Sequence, residues 1–150
     1  MSSTARPCSI AGALQIVGER WALLAVREIM FGNRRFDEIA RNTGASRDIL
    51  TARLRSLETA GILERRRYHD RPARYEYHLT EAGRDLAPVL HALRDWGDHW
   101  LPDPPPVTAH HTCGHPLDPL TVCRHCGAEA TPETLRLTVN APGWTLKGPE

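Results

Sequence analysis

No apolar run in this chain approaches the roughly 20 residues a membrane-spanning helix needs, and the N-terminus carries no signal-peptide pattern. These absences argue against a helical membrane anchor and lead us to expect a cytoplasmic protein without a membrane partner. Neither His-Glu-x-x-His nor a glycine-rich cofactor loop occurs, so the sequence shows no recognisable metallohydrolase helix or dinucleotide fingerprint. Cysteine is sparse, 4 in 150 residues, and unevenly placed, which argues against a disulfide framework. Lysine is nearly missing: Lys147 is the only one. The almost exclusive use of Arg suits phosphates and guanine edges, and it is equally the mark of a GC-rich genome. No internal repeat is visible.

What is present is ordinary in bulk and uneven in detail. A chain of 150 residues, 41% hydrophobic and 25% charged, fits one domain with a small appendage. The net charge of +1 hides a local bias: 11 Arg face 6 acids between Gly32 and Arg74. That excess is what phosphate neutralisation requires.

The same stretch has the order of parts that reads DNA. Ser9–Val17 and Trp21–Met30 carry apolar residues at helical spacing, with Gly18 as the breaker. A turn at Gly32-Asn33-Arg34-Arg35 leads to a short helix, Phe36–Asn42, and a second turn, Thr43-Gly44-Ala45. The next helix, Ser46–Glu58, turns Ile49, Leu50, Leu54 and Leu57 inward and Arg47, Thr51 and Arg55 away, with Ser46 as N-cap. A basic hairpin follows, from Arg65-Arg66-Arg67-Tyr68 to Arg74-Tyr75-Glu76-Tyr77, with Asp70-Arg71-Pro72 at its tip. Thr80 caps a long final helix that Pro88 should bend. The expected class is therefore mainly α with a β-hairpin wing: a winged helix-turn-helix. Arg47 is the candidate base reader, because the N-terminal residues of a reading helix lie deepest in the groove. Ser46 and Thr51 are helix-end and phosphate or thymine-methyl candidates, and Arg34, Arg35, Arg55, Arg71 and Arg74 are phosphate candidates. Each is also readable as a plain surface residue. Trp96 and Trp100, one turn apart, belong either to the chain's own core or to a dimer surface. The scarcity of other packing material around that helix favours the dimer.

Several stretches resemble the HxlR family of bacterial winged-helix regulators: Pro7-Cys8-Ser9-Ile10, Gly18-Glu19-Arg20-Trp21-Ala22-Leu23-Leu24, Gly32–Ile39, Leu50-Thr51-Ala52-Arg53-Leu54, Leu57–Leu63 and Tyr75–Gly83. Together they span roughly the first hundred residues. The resemblance implies a homodimer built by N- and C-terminal helices, with two reading helices in successive major grooves of a pseudo-palindromic operator. It also places Arg53 at a motif position, with a contact to the DNA backbone expected. Cys8 matches a near-terminal Cys that senses electrophiles or oxidants in many such regulators. A sensor needs a lowered thiol pKa, and a buried, inert Cys is the alternative reading.

Leu101-Pro102-Asp103-Pro104-Pro105-Pro106 marks a boundary. We expect a DNA-binding and dimerisation domain at 1–101, a proline linker at 102–106 and a zinc-ribbon-like tail at 107–150. The tail is poor in aliphatic residues and holds His110-His111-Thr112-Cys113-Gly114-His115 and Cys123-Arg124-His125-Cys126-Gly127. Both halves read ligand-x2-Cys-Gly, the spacing of a zinc knuckle. His110, Cys113, Cys123 and Cys126 form the candidate set for a structural zinc; His111 and His115 remain alternatives to His110, and a free dithiol at Cys123/Cys126 is the other reading. The function expected is a DNA-binding transcriptional regulator, a repressor answering a small molecule or oxidant. The rivals are a small zinc or thiol enzyme using the tail, and a winged-helix interaction module without DNA binding.

Overall fold

The computed structural model describes residues 5–149, so the outermost ends of the domains expected at 1–101 and 107–150 lie outside the described residues. Two compact units are present: Cys8–Leu90, and the chain from His91 onward together with the segment before Cys8.

In the first unit, α1 (Ser9–Val17), α2 (Arg20–Met30), α3 (Phe36–Thr43) and α4 (Arg47–Thr59) precede the antiparallel pair β1 (Leu63–Asp70) and β2 (Ala73–Leu79). The core is drawn from these elements. Val26, Ile39, Leu50, Leu54, Leu57 and Leu63 are its largest fully buried side chains, and burying each such side chain stabilises the unit by about 1.5–3 kcal/mol. Leu50, Leu54 and Leu57 make one stripe of α4, as the spacing predicted. Ile49 does not join them: it is exposed, since it precedes Leu50 by one residue and so lies about 100° round the helix. Gly44 ends α3 at φ 77°, a left-handed conformation that costs glycine little.

Within this core sits one charged side chain, Glu28, 3% exposed. Its Oε2 accepts from Asn33 Nδ2 (2.7 Å) and Asn42 Nδ2 (2.9 Å), and its Oε1 from Arg27 Nε (2.9 Å). One carboxylate thus ties the end of α2 to the turn after it and to α3. The wing is anchored to the same turn by Tyr77 N–H donating to the Arg34 carbonyl at 2.8 Å.

The final helix differs from expectation. A short α5 (Glu81–Arg84), capped by Thr80 accepting from Gly83 N, is separated from α6 (Ala87–Trp100). Pro88 does not bend a long helix. It stands in the first turn of a new one, where its missing N–H has no partner to lose. Gly83 is buried against the Ile62 carbonyl, where any Cβ would collide with backbone. Leu86 and Leu90 pack on the core.

From His91 onward α6 belongs to the second unit, and none of its residues is fully buried. Hairpin-like turns surround the two Cys-containing motifs, with isolated bridges His110↔Pro116 and Val122↔Glu129. A 3₁₀ turn, Pro132–Thr134, and a two-residue strand pair, β3 (Trp144–Thr145) with β4 (Gly148–Pro149), complete it. Arg6 Nη1 donates to the Thr145 and Leu146 carbonyls at 3.2 and 2.8 Å. Turns stand at both Cys-containing motifs, and among the described residues the pairing around them is limited to these bridges.

Candidate nucleic-acid interface

The helix-turn-helix is α3, the Gly44-Ala45 turn and α4. Ser46 caps α4 by accepting from Ile49 N at 3.3 Å, leaving the other first-turn N–H groups open to an anion. Arg47, the first residue of α4, is exposed, yet its guanidinium is held: Nη1 lies 2.7 Å from Asp37 Oδ1, and Cζ stands 4.7 Å above the Phe36 ring. Both members of the ion pair are more than two-thirds exposed, so the pair is worth under about 1 kcal/mol. That is enough to bias the side chain's direction and too little to withhold it from DNA. Neither Asp37 nor Phe36 was a candidate from sequence. Their only signal there was their place at the start of α3.

The other stripe residues follow the expected face. Thr51 is half-buried and donates Oγ1–H to the Arg47 carbonyl at 2.7 Å, while Arg55 is exposed and has no ion pair among the described residues. Arg53, for which a DNA-backbone contact is expected, has a partner within the chain. Its Nε lies 3.6 Å from Glu19 Oε2, and Glu19 also caps α2 by accepting from Trp21 N, so Arg53 joins α4 to the start of α2. Ile49 is an apolar residue exposed on the reading helix that the sequence pattern had turned inward.

The wing carries a two-residue turn at Arg71-Pro72, whose peptide bond is cis. Arg71 and Arg74 are exposed and have no ion pair among the described residues. A register shift between Arg67 and His69 sets off Tyr68, and the Arg35 guanidinium lies 4.7 Å over its ring. Arg65 and Arg67 flank Tyr75 at 5.0 and 5.6 Å from the ring centre. The hydrogen bond from Arg67 Nη2 (3.2 Å), followed by the charge of Arg67, draws the Tyr75 hydroxyl below its ordinary pKa. Burial raises that of Tyr77. Exposed guanidinium–aromatic pairs of this kind present cations on a stiff ribbon. Arg34 is placed apart: with Arg66 and Arg84 it borders a cavity beside the wing.

The tail residues form two half-sites. Gly114 and Gly127 take φ 90° and 72°, the turn conformation a knuckle needs. Backbone N–H groups of His125 and then Cys126 point at the Cys123 sulfur and lower its pKa, helped by the Cys126 side chain. Cys113 Sγ stands 3.8 Å from His115 Nδ1, and Cys113 N donates to His111 Nδ1 at 3.3 Å. Among the described residues no three His, Cys, Asp or Glu side chains converge as a metal cluster. The donors suit zinc in kind, and the structure brings together pairs, not the set of four. Cys8 is exposed at the N-cap of α1.

Outside both regions, apolar side chains stand exposed at helical spacing. α1 presents Ile10 and Leu14, and α6 presents Val89, Leu93, Trp96 and Trp100, the last two 59% and 67% exposed. No single helix among the described residues is long and apolar enough to cross a membrane.

Comparison with known proteins matches residues 16–104 to the HxlR-like helix-turn-helix family model. An uncharacterized HTH-type transcriptional regulator of Mycobacterium tuberculosis is 51% identical over 126 residues, spanning 82% of this chain and 80% of that protein. Among solved structures, PA1607, a putative transcription factor, superposes with a TM-score of 0.79 at 32% identity, over 92% of this chain and 99% of that one. The redox regulator HypR in its reduced form gives 0.54 at 34% identity, over 61% and 91%.

Proposed function

The chain belongs to the HxlR-like helix-turn-helix family, and on that premise we propose that it represses transcription as a homodimer on a pseudo-palindromic operator in the cytoplasm. It is a DNA-binding transcriptional regulator and not an enzyme. The observation that carries the finer reading is Arg47, exposed at the start of α4 and aimed by Asp37 and Phe36. A guanidinium already oriented loses less entropy on meeting a guanine edge. Arg35, Arg55, Arg71 and Arg74 supply phosphate contacts, and the N-terminus of α4 at Ser46 supplies another.

Dimerisation is supported by the apolar stripes of α1 and α6, because exposed tryptophans at helical spacing are costly unless a partner covers them. A structural zinc in the tail is supported by the two knuckle turns and the N–H groups aimed at Cys123. Cys113, Cys123 and Cys126 would hold it with one histidine; the contact between Cys113 and His115 favours His115 over His110 and His111. When bound, the metal would cross-link the two turns. The role of Cys8 as an oxidant sensor is supported by its exposure and by the likeness to HypR, itself a redox regulator.

Selection of genomic DNA fragments by the purified chain tests this reading. The expected motif has half-sites about one helical turn apart or a multiple of it, bound with steep salt dependence. Arg47→Ala should relax preference at one base pair by about 1–3 kcal/mol. An unchanged motif in that variant overturns the assignment of the reader, and a monomer at micromolar concentration by sedimentation overturns the dimer. Loss of oxidant-induced release in Cys8→Ser, with operator affinity kept, is the outcome expected of a sensor; an unchanged response removes Cys8 from that role.

A further inference from the structure

Beside the wing lies a cavity of about 480 Å³, within the range of small-molecule sites. Its apolar surface comes from Ile29 and Met30 at the end of α2, Leu79 at the end of β2 and Ala87 at the start of α6. Three guanidiniums, those of Arg34, Arg66 and Arg84, border it, and no acidic residue lines it. The nearby carboxylates are already engaged: Glu64 by Arg66, and Glu76 by Arg35 at 3.8 Å and His78 at 3.4 Å. Arg84 spends one N–H on the Leu79 carbonyl at 3.0 Å, and the Arg34 side chain has no hydrogen bond or ion pair among the described residues. Arg66 already has Glu64 beside it, so the charge left without a carboxylate at this hollow is that of Arg34 and Arg84, which an anion between them would offset.

We propose that this cavity binds a small organic acid, an apolar ring or branched chain carrying a carboxylate, as the effector of the regulator. The apolar part covers Ile29, Met30 and Leu79, and the carboxylate takes paired N–H bonds from Arg34 and Arg84. Such a ligand touches α2, both wing strands and the start of α6 at once. Its occupancy therefore biases the angle at which the wing, with Arg71 at its tip, meets the DNA backbone. Coupling of this kind is reciprocal, so operator DNA changes affinity for the acid by the same factor that the acid changes affinity for the operator. The regulatory part rests on the operator-binding reading above; the binding part does not.

The test uses the full chain and 1-naphthoate as probe, titrated by calorimetry, with operator binding measured on the same preparation. Saturable binding of one naphthoate per chain is expected. Arg34→Gln with Arg84→Gln should weaken it about tenfold or more, as for loss of charged hydrogen bonds. The neutral 1-naphthalenemethanol should bind comparably more weakly than naphthoate, and inorganic phosphate should not displace the probe. Ala87→Phe, which keeps every charge and fills the hollow, should abolish binding with the circular dichroism spectrum unchanged. Absence of saturable binding, equal binding by the double variant, or displacement by phosphate at equal concentration would each overturn the proposal. The last would mark a bare anion patch of the kind a DNA phosphate fills. Operator binding without naphthoate binding removes this inference alone; naphthoate binding without operator binding leaves the site and removes its regulatory part.

Discussion

The stretch from α1 to the wing and the stretch beyond α6 hold their shapes by unlike means. Every buried apolar side chain of the core cluster lies between Val17 and Leu63. The tail has none among its described residues, and its Leu120, Leu135, Leu137 and Leu146 are all more than half exposed. Its order resides in backbone hydrogen bonds around two turns, such as Gly127 N to the Cys123 carbonyl at 2.7 Å and His111 N to the His115 carbonyl at 2.9 Å. Such bonds are worth about 1 kcal/mol each when exchanged against water, which is less than the entropy of ordering the residues that make them. The first stretch can persist by burial alone. The second lacks such burial among its described residues, and it carries three cysteines with flanking histidines.

The contrast breaks most visibly under matched truncations. Leu54→Ala should destabilise the winged helix by about 2–5 kcal/mol in urea unfolding, whereas Leu137→Ala should stay within about 0.5 kcal/mol. Comparable losses at the two sites would mean that the tail has a core after all. Glu28→Ala should come next, at about 3 kcal/mol, because it leaves the amides of Asn33 and Asn42 without their acceptor and Arg27 without its counter-charge. Glu28→Gln should recover part of that loss, and an unchanged midpoint for the alanine variant would show the cluster to be idle.

Smaller effects separate surface from core. Arg71→Ala should leave the unfolding curve unchanged, weaken binding to every DNA sequence alike and lower the salt slope by about 1. A change in the selected motif would instead make the wing tip a base reader. The smallest expected effect on the winged helix is that of Cys126→Ser. Metal content should fall from one zinc per chain to none, and hydrogen exchange in the tail should become fast, with the melting of the winged helix unmoved. Protein purified without chelator and free of zinc, with Cys123 and Cys126 readily alkylated, would leave the tail's order without a cross-link and redraw the comparison.

Much of the winged helix was legible from periodicity and caps. The α1 boundaries, the Ser46 cap, the Leu50/Leu54/Leu57 stripe and the Arg71-Pro72 tip stand where spacing puts them. Local signals sufficed there because helix caps and turn residues act within a few positions. Ile49 and Pro88 were misjudged for a common reason: what surrounds each is fixed by residues distant in sequence or by the exact phase of a helix. Arg53 faces Glu19, and no local pattern announces that pairing.

The chain by itself therefore determined the order of elements, the excess of arginine on one stretch and the two knuckle turns, all of which follow from short-range stereochemistry and composition. Only the tertiary structure decided which charges meet. It set Asp37 and Phe36 against Arg47, buried Glu28 among two asparagines, and gathered Arg34, Arg66 and Arg84 around one hollow. Electrostatic pairing depends on distance in space, and the packing of α2, α3, α4 and the wing sets those distances.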